Sequence, residues 1–118
     1  MTNSKNILPV LGALLAMAGV SSAGTAPAPD IALTIMGQAF QPRTLTIPAG
    51  QTVKIVVTNK DVIPAEFESN DFNREIVIPG QSAVPVYVGP LKPGKYRFFN
   101  DFHPESTGTL LVEPERRR

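Results

Sequence analysis

The stretch "YRFFNDFHPESTGTLLV", residues 96–112, decides the fold. Side chains of an extended chain alternate between two faces, so Tyr96, Phe98 and Asn100 share one of them. A short polar run follows, and "TGTLLV" then returns with Thr, Leu and Val: strand, loop, strand. Just upstream, "LKPGKY" (91–96) sets a tyrosine directly after a Pro-Gly turn, the placement of a tyrosine corner that ties two sheets together.

The same punctuation runs back through the chain. "IPAGQT" (47–52), "IPGQS" (78–82) and "KPGKY" (92–96) separate segments rich in Val, Ile, Thr, Phe and Tyr, and helical periodicity is absent. Strands are expected near 31–36, 43–47, 51–59, 65–69, 73–78, 82–88, 95–100 and 107–113. In "TVKIVVTN" the side chains of Val53, Ile55 and Val57 line one face, and with only strands available the cover for that face is a second sheet. The expected fold is all-β, a Greek-key β-sandwich. Met36 and the aromatics Phe40, Phe67, Phe98 and Phe99 are assigned to packing.

With 118 residues, 42% hydrophobic and 18% charged, the chain has room for a single domain. Lys5 precedes the apolar run "ILPVLGALLAMAGV" and the small residues "SSAGTA", the layout of a secretory signal peptide cut after Ala23. The expected organisation is a signal peptide at 1–23, a Pro/Ala linker at 24–30, the sandwich at 31–114 and a basic tail at 115–118. The run is too short to span a bilayer, so no transmembrane segment is expected in the mature chain. Lys+Arg number 11 against Asp+Glu 10, and the leader takes Lys5 with it. The resulting neutral surface argues against nucleic acid as a partner. There is no cysteine and one histidine, which excludes disulfides, a lipid anchor on cysteine, and Ser/His or Cys/His triads.

Three segments give the chain its resemblance to a cupredoxin: "FQPRTLTIPAGQTVKIVVTNKD" (40–61), "AEFES" (65–69) and "LKPGKYRFFNDFHPESTGTLLV" (91–112). Blue-copper members run Tyr-x-Phe-x-Cys-x-x-His-Pro-x-Met-x-Gly in the last segment. Tyr96, Phe98, His103, Pro104 and Gly108 match that spacing, whereas Asn100 stands at the cysteine and Ser106 at the methionine. The first histidine, expected after "TNKDVIP", is replaced by the stretch Ala65, Glu66, Phe67, Glu68. A copper centre that depends on thiolate covalency cannot form. The pairing of "EFE" (66–68) with "YRFFNDFH" is similar to EfeO-type cupredoxin-like domains of bacterial iron-uptake systems. That resemblance implies a periplasmic protein that binds copper or iron and helps oxidise or deliver ferrous iron ahead of an inner-membrane iron permease or a periplasmic partner.

In such a sandwich the loop after strand 51–59 and the loop at 100–106 lie at one end, which would gather His103, Glu66, Asp101, Glu68 and Glu105. One imidazole with several carboxylates is a hard, oxygen-rich set suited to iron or Cu(II). Each residue also has a plainer reading. Glu66 and Glu68 alternate around Phe67, as the exposed face of a strand with a core Phe does. Asp101 fits turn chemistry, Glu105 fits a solvated loop, and His103 fits a surface histidine. Asn100 is expected to face inward and brace the loop by hydrogen bonds. Lys92, Lys95 and Arg97 read as a solvated basic edge. Two functions follow: a metal-binding accessory of iron uptake, oxidase or carrier, or a metal-free interaction domain that docks on a permease or partner subunit.

Overall fold

The computed structural model describes residues 29–114. The expected signal peptide, most of the linker and the basic tail lie outside them. Nine strands run in chain order: β1 (Ile31–Met36), β2 (Ala39–Gln41), β3 (Thr44–Pro48), β4 (Val53–Asn59), β5 (Ala65–Ser69), β6 (Arg74–Ile78), β7 (Ser82–Val88), β8 (Gly94–Asn100) and β9 (His103–Glu113). They form two sheets, β2-β1-β4-β7 and β3-β9-β8-β5-β6. The chain crosses between sheets, so that β1 lies parallel to β4 and β3 parallel to β9 while every other pair is antiparallel. This is the expected all-β sandwich.

Alternation explains where the core sits. On β4 the side chains of Val53, Ile55, Val57 and finally Asn59 are buried, each separated by a half-exposed neighbour. From the other sheet come Ala65, Phe67, Phe98, Leu110 and Val112. Three phenylalanines join the layers: Phe98 meets Phe40 edge to face at 4.9 Å and stacks on Phe67 at 5.1 Å. Such ring pairs add about 0.5–1.5 kcal/mol each to what burial alone contributes. The tyrosine corner is present, with Tyr96 Oη–H donating to Lys92 O at 2.7 Å.

Two sequence expectations need correction. The short strand β2 was not foreseen, because three residues carry too little alternation to register. It forms because Gly37 and Gln38, at φ 61° and 66°, turn β1 back on itself. Both turn N–H groups donate to Asp61, Gly37 to Oδ1 at 2.8 Å and Gln38 to Oδ2 at 2.7 Å. Met36, expected in the core, is 46% exposed: it follows the buried Ile35 on the opposite face of β1.

The end of the sandwich where β4 and β8 finish is held by side chains that satisfy loop backbone. Buried Asn59 donates from Nδ2 to Ile63 O (2.9 Å) and Ile78 O (3.1 Å), and its Oδ1 accepts from Asp61 N (3.0 Å). The β4–β5 loop therefore has a fixed path into β5.

Packing also explains Gly108. A Cβ there would stand 2.3 Å from the Phe98 ring and 3.1 Å from Arg43 O. Gly108→Ala is expected to cost about 1–3 kcal/mol by overpacking, and Tyr96→Phe about 1 kcal/mol for its lost hydrogen bond. Thermal midpoints of the two variants against wild type check both, and an unchanged Gly108→Ala midpoint contradicts the packing account.

Candidate metal centre

The site grows from Asn100, the last residue of β8 and 1% exposed. Its Oδ1 accepts from Glu66 N at 3.0 Å and from Phe102 N at 3.1 Å. The second bond is a side chain capping the backbone two residues on, so the connection to β9 shrinks to Asp101 and Phe102. As a result β9 starts at His103, four residues earlier than the alternation of "TGTLLV" suggests. Asn100 is the expected brace.

The same clasp fixes Asp101. Its N–H donates to Glu66 O at 2.9 Å, extending the β5–β8 ladder one step beyond the Phe67–Asn100 pair. Ala65, Phe67 and Ser69 point into the core, so Glu66 and Glu68 point to the opposite face of the sheet. There, one carboxylate oxygen from each of Glu66, Glu68 and Asp101 lies within 4.8 Å of the others. Glu75 stands across from Glu68 on β6 and joins the crowd.

Five residues were candidates, and the structure divides them. Glu66, Glu68 and Asp101 come together; His103 and Glu105 do not join them. The His103 Nδ1 instead lies 2.7 Å from Glu105 Oε2, two residues along the same strand. The expectation of one imidazole among the carboxylates of the middle of the chain is therefore corrected: the two-residue turn at 101–102 places His103 in the ladder opposite Asn100, where its partner is local. Glu75 was missed by sequence reading. Its only signal was its place in the strand after "EFES", which antiparallel pairing sets against Glu68.

Crowding changes the acids. Glu66 is 9% exposed although it faces away from the core. Burial, then a hydrogen bond from its carboxyl to Glu75, then the charges of Glu75, Asp101 and Glu68 push its pKa from 4.5 up to about 7. Glu68 is raised too, by desolvation first and then by Asp101 and Glu75. The cluster can relieve its repulsion in two ways, by taking up a proton or by taking up a cation.

The positions that hold copper in blue-copper proteins do not fit that metal here. Asn100 spends Oδ1 on two N–H groups, His103 is paired with Glu105, and no cysteine is available. The donors that remain, Glu66, Glu68 and Asp101, are all oxygen. They suit hard cations rather than a thiolate-bound ion.

Protonation of Glu66 has a measurable signature. Unfolded, it titrates near 4.5 and folded near 7. Between those values the folded state holds more proton, so stability falls as pH rises across the window and levels off above it. Glu66→Gln is expected to flatten that decline and to raise stability at neutral pH in metal-free buffer. Urea midpoints measured across the window check this, and a Gln variant with the wild-type slope contradicts it.

Comparisons with known proteins agree with the fold. The chain is 30% identical over 83 residues to an uncharacterized protein of Rickettsia prowazekii, covering 70% of this chain and 66% of that one, just under two thirds of its length. Among solved structures it resembles amicyanin from Paracoccus versutus, at 22% identity and TM-score 0.60 over 75% of this chain and 85% of that one. It also resembles a purple cupredoxin from Nitrosopumilus maritimus, at 25% identity and TM-score 0.55, covering 71% of this chain and all of that one. The metal-binding domain of a Cu(I)-exporting P-type ATPase of Streptococcus pneumoniae superposes with TM-score 0.65 at 13% identity, over 71% of this chain and 84% of that one. The profile of the cupredoxin-like domain matches residues 8–112, and the chain belongs to that family.

Proposed function

We propose that this chain is an exported metal-binding protein that takes iron or Cu(II) on Glu66, Glu68 and Asp101 and serves iron acquisition in the periplasm. The reading rests on one observation, three carboxylates converging within 4.8 Å with the innermost nearly buried. Membership of the cupredoxin-like family, and the likeness of "EFE" to iron-uptake domains, support a metal; the hard donor set favours iron as cargo. Among divalent ions Cu(II) is the strongest competitor at equal availability.

Clustered carboxylates act on the ion through charge. Each negative oxygen attracts a trivalent ion more than a divalent one, so the site would hold ferric iron more tightly than ferrous and would lower the reduction potential of the bound ion. Handing the ion to an inner-membrane permease fits the same chemistry, since protonation of Glu66 weakens the hold. Similarity to EfeO-type domains supports that partner.

Titration of the purified mature protein with Fe(II) under anaerobic conditions, and separately with Cu(II), tests the reading. Binding in the micromolar range is expected, weakened at least about tenfold by Glu66→Gln with Asp101→Asn and nearly unchanged by His103→Ala. Affinity should rise with pH and level off above the Glu66 pKa, because the ion displaces its proton. No binding, or binding that depends on His103 alone, defeats the proposal.

A second reading, a docking domain without metal, draws on the apolar side chains at the same end. Met36, Val62, Ile63 and Phe102 are 46%, 75%, 46% and 50% exposed. Under it, association with a membrane partner survives Glu66→Gln with Asp101→Asn and is lost in Val62→Ser with Phe102→Ser, as a pull-down from solubilised inner membrane would read.

A further inference from the structure

The outer face of the second sheet carries a second feature beside the acidic trio. Two of the β8 residues that face away from the core, Arg97 and Phe99, line a cleft of about 310 Å³ together with Asn70, Asp71 and Pro104. The cleft wall is built rather than loose. Asp71 Oδ2 accepts from Arg97 N at 2.7 Å, and Ser69 Oγ–H donates to Arg97 O at 2.6 Å. Ser69 Oγ also accepts from Phe72 N at 3.2 Å, so the β5–β6 turn is clamped onto β8 at this one residue.

These bonds use only the backbone of Arg97. Its guanidinium forms no ion pair with any described residue. A planar fork of donors suits a carboxylate, which it grips through two parallel hydrogen bonds. Phe99 offers an apolar wall to the carbon skeleton behind that carboxylate. Asp71, with Oδ2 occupied, has its other oxygen for a donor; a ligand that is acid alone would meet it with nothing to give. We propose that this cleft binds a small hydroxycarboxylate, with Arg97 gripping the carboxylate and Asp71 accepting from the hydroxyl.

The location gives the cleft a further consequence. Phe99 pairs with Glu68 in the β5–β8 register, so the cleft opens beside the trio. Two residues along a strand advance roughly 7 Å, which a second acidic group of the ligand can span. A di- or tricarboxylate seated on Arg97 would then add a ligand to an ion held by Glu66, Glu68 and Asp101. That link rests on the metal reading above; the cleft itself does not.

Titration of metal-free protein with L-malate, followed by backbone amide shifts in NMR, tests the proposal, with succinate as the ligand that lacks the hydroxyl. Malate is expected to move the amides of Asn70, Asp71, Arg97 and Phe99 and to bind more tightly than succinate. Arg97→Gln should weaken malate about tenfold or more, the value of one charge-assisted contact. Arg97 is exposed, so the variant folds; wild-type shifts elsewhere in its spectrum confirm that. Glu66→Gln with Asp101→Asn should retain malate binding, which keeps this result separate from success or failure of the metal titrations. Absence of shifts at those amides in about 10 mM malate, or equal affinity in Arg97→Gln, overturns the proposal.

Discussion

One buried carboxamide sets the end of the molecule where the acidic cluster forms. The Oδ1 of Asn100 accepts from the backbone of Glu66 and of Phe102, joining β5 to the β8–β9 turn. A buried acceptor left without a donor costs on the order of 1–3 kcal/mol, and so does each donor. The arrangement is therefore held from three directions at once. From it follow the two-residue turn, the early start of β9, the position of Asp101 beside Glu66, and the separation of His103 from the acids. Asn59 and Asp61 act in the same way on the neighbouring loop and turn, so the end of the sandwich is made of side chains that answer backbone groups.

The acids lie on the outer face of one sheet. The cysteine of the blue-copper pattern falls at Asn100, which faces the core. Asp101 follows it, and Glu66 follows the core-facing Ala65. Because strand side chains alternate, a step of one residue moves the donors to the opposite face. The interior here holds Ala65 and a satisfied amide, while the outer face carries a concentrated negative charge. No described helix is long and apolar enough to cross a membrane, and in the second sheet the outer face of β5 and β8 carries these acids and the Arg97 cleft beside them.

Much of the fold was legible beforehand, for a physical reason. Val53, Ile55 and Val57, and Phe98 with Asn100, report burial by simple alternation, and Tyr96 after Pro-Gly reports the corner. Strand β2 was invisible because Phe40 is its only buried residue. Met36 was misplaced because an apolar side chain at a strand end carries no sign of which face it takes. The convergence of "EFE" with Asp101 was readable because the fold brings the loop after β4 and the loop after β8 to one end. The partner of His103 was not, since it depends on the length of a turn that a single hydrogen bond determines. Glu75 escaped because its role arises from cross-strand register, which a linear reading does not contain.

The outward placement of Glu66, Glu68 and Asp101 also bears on how such a domain changes over time. Donors rooted in the interior are tied to the packing around Phe40, Phe67 and Phe98, and replacing one disturbs the scaffold that supports the others. Donors on the solvent side of a strand carry no such obligation. A lineage could exchange them, charge by charge, for ligands to another ion or for a protein contact, while the architecture beneath persists unaltered.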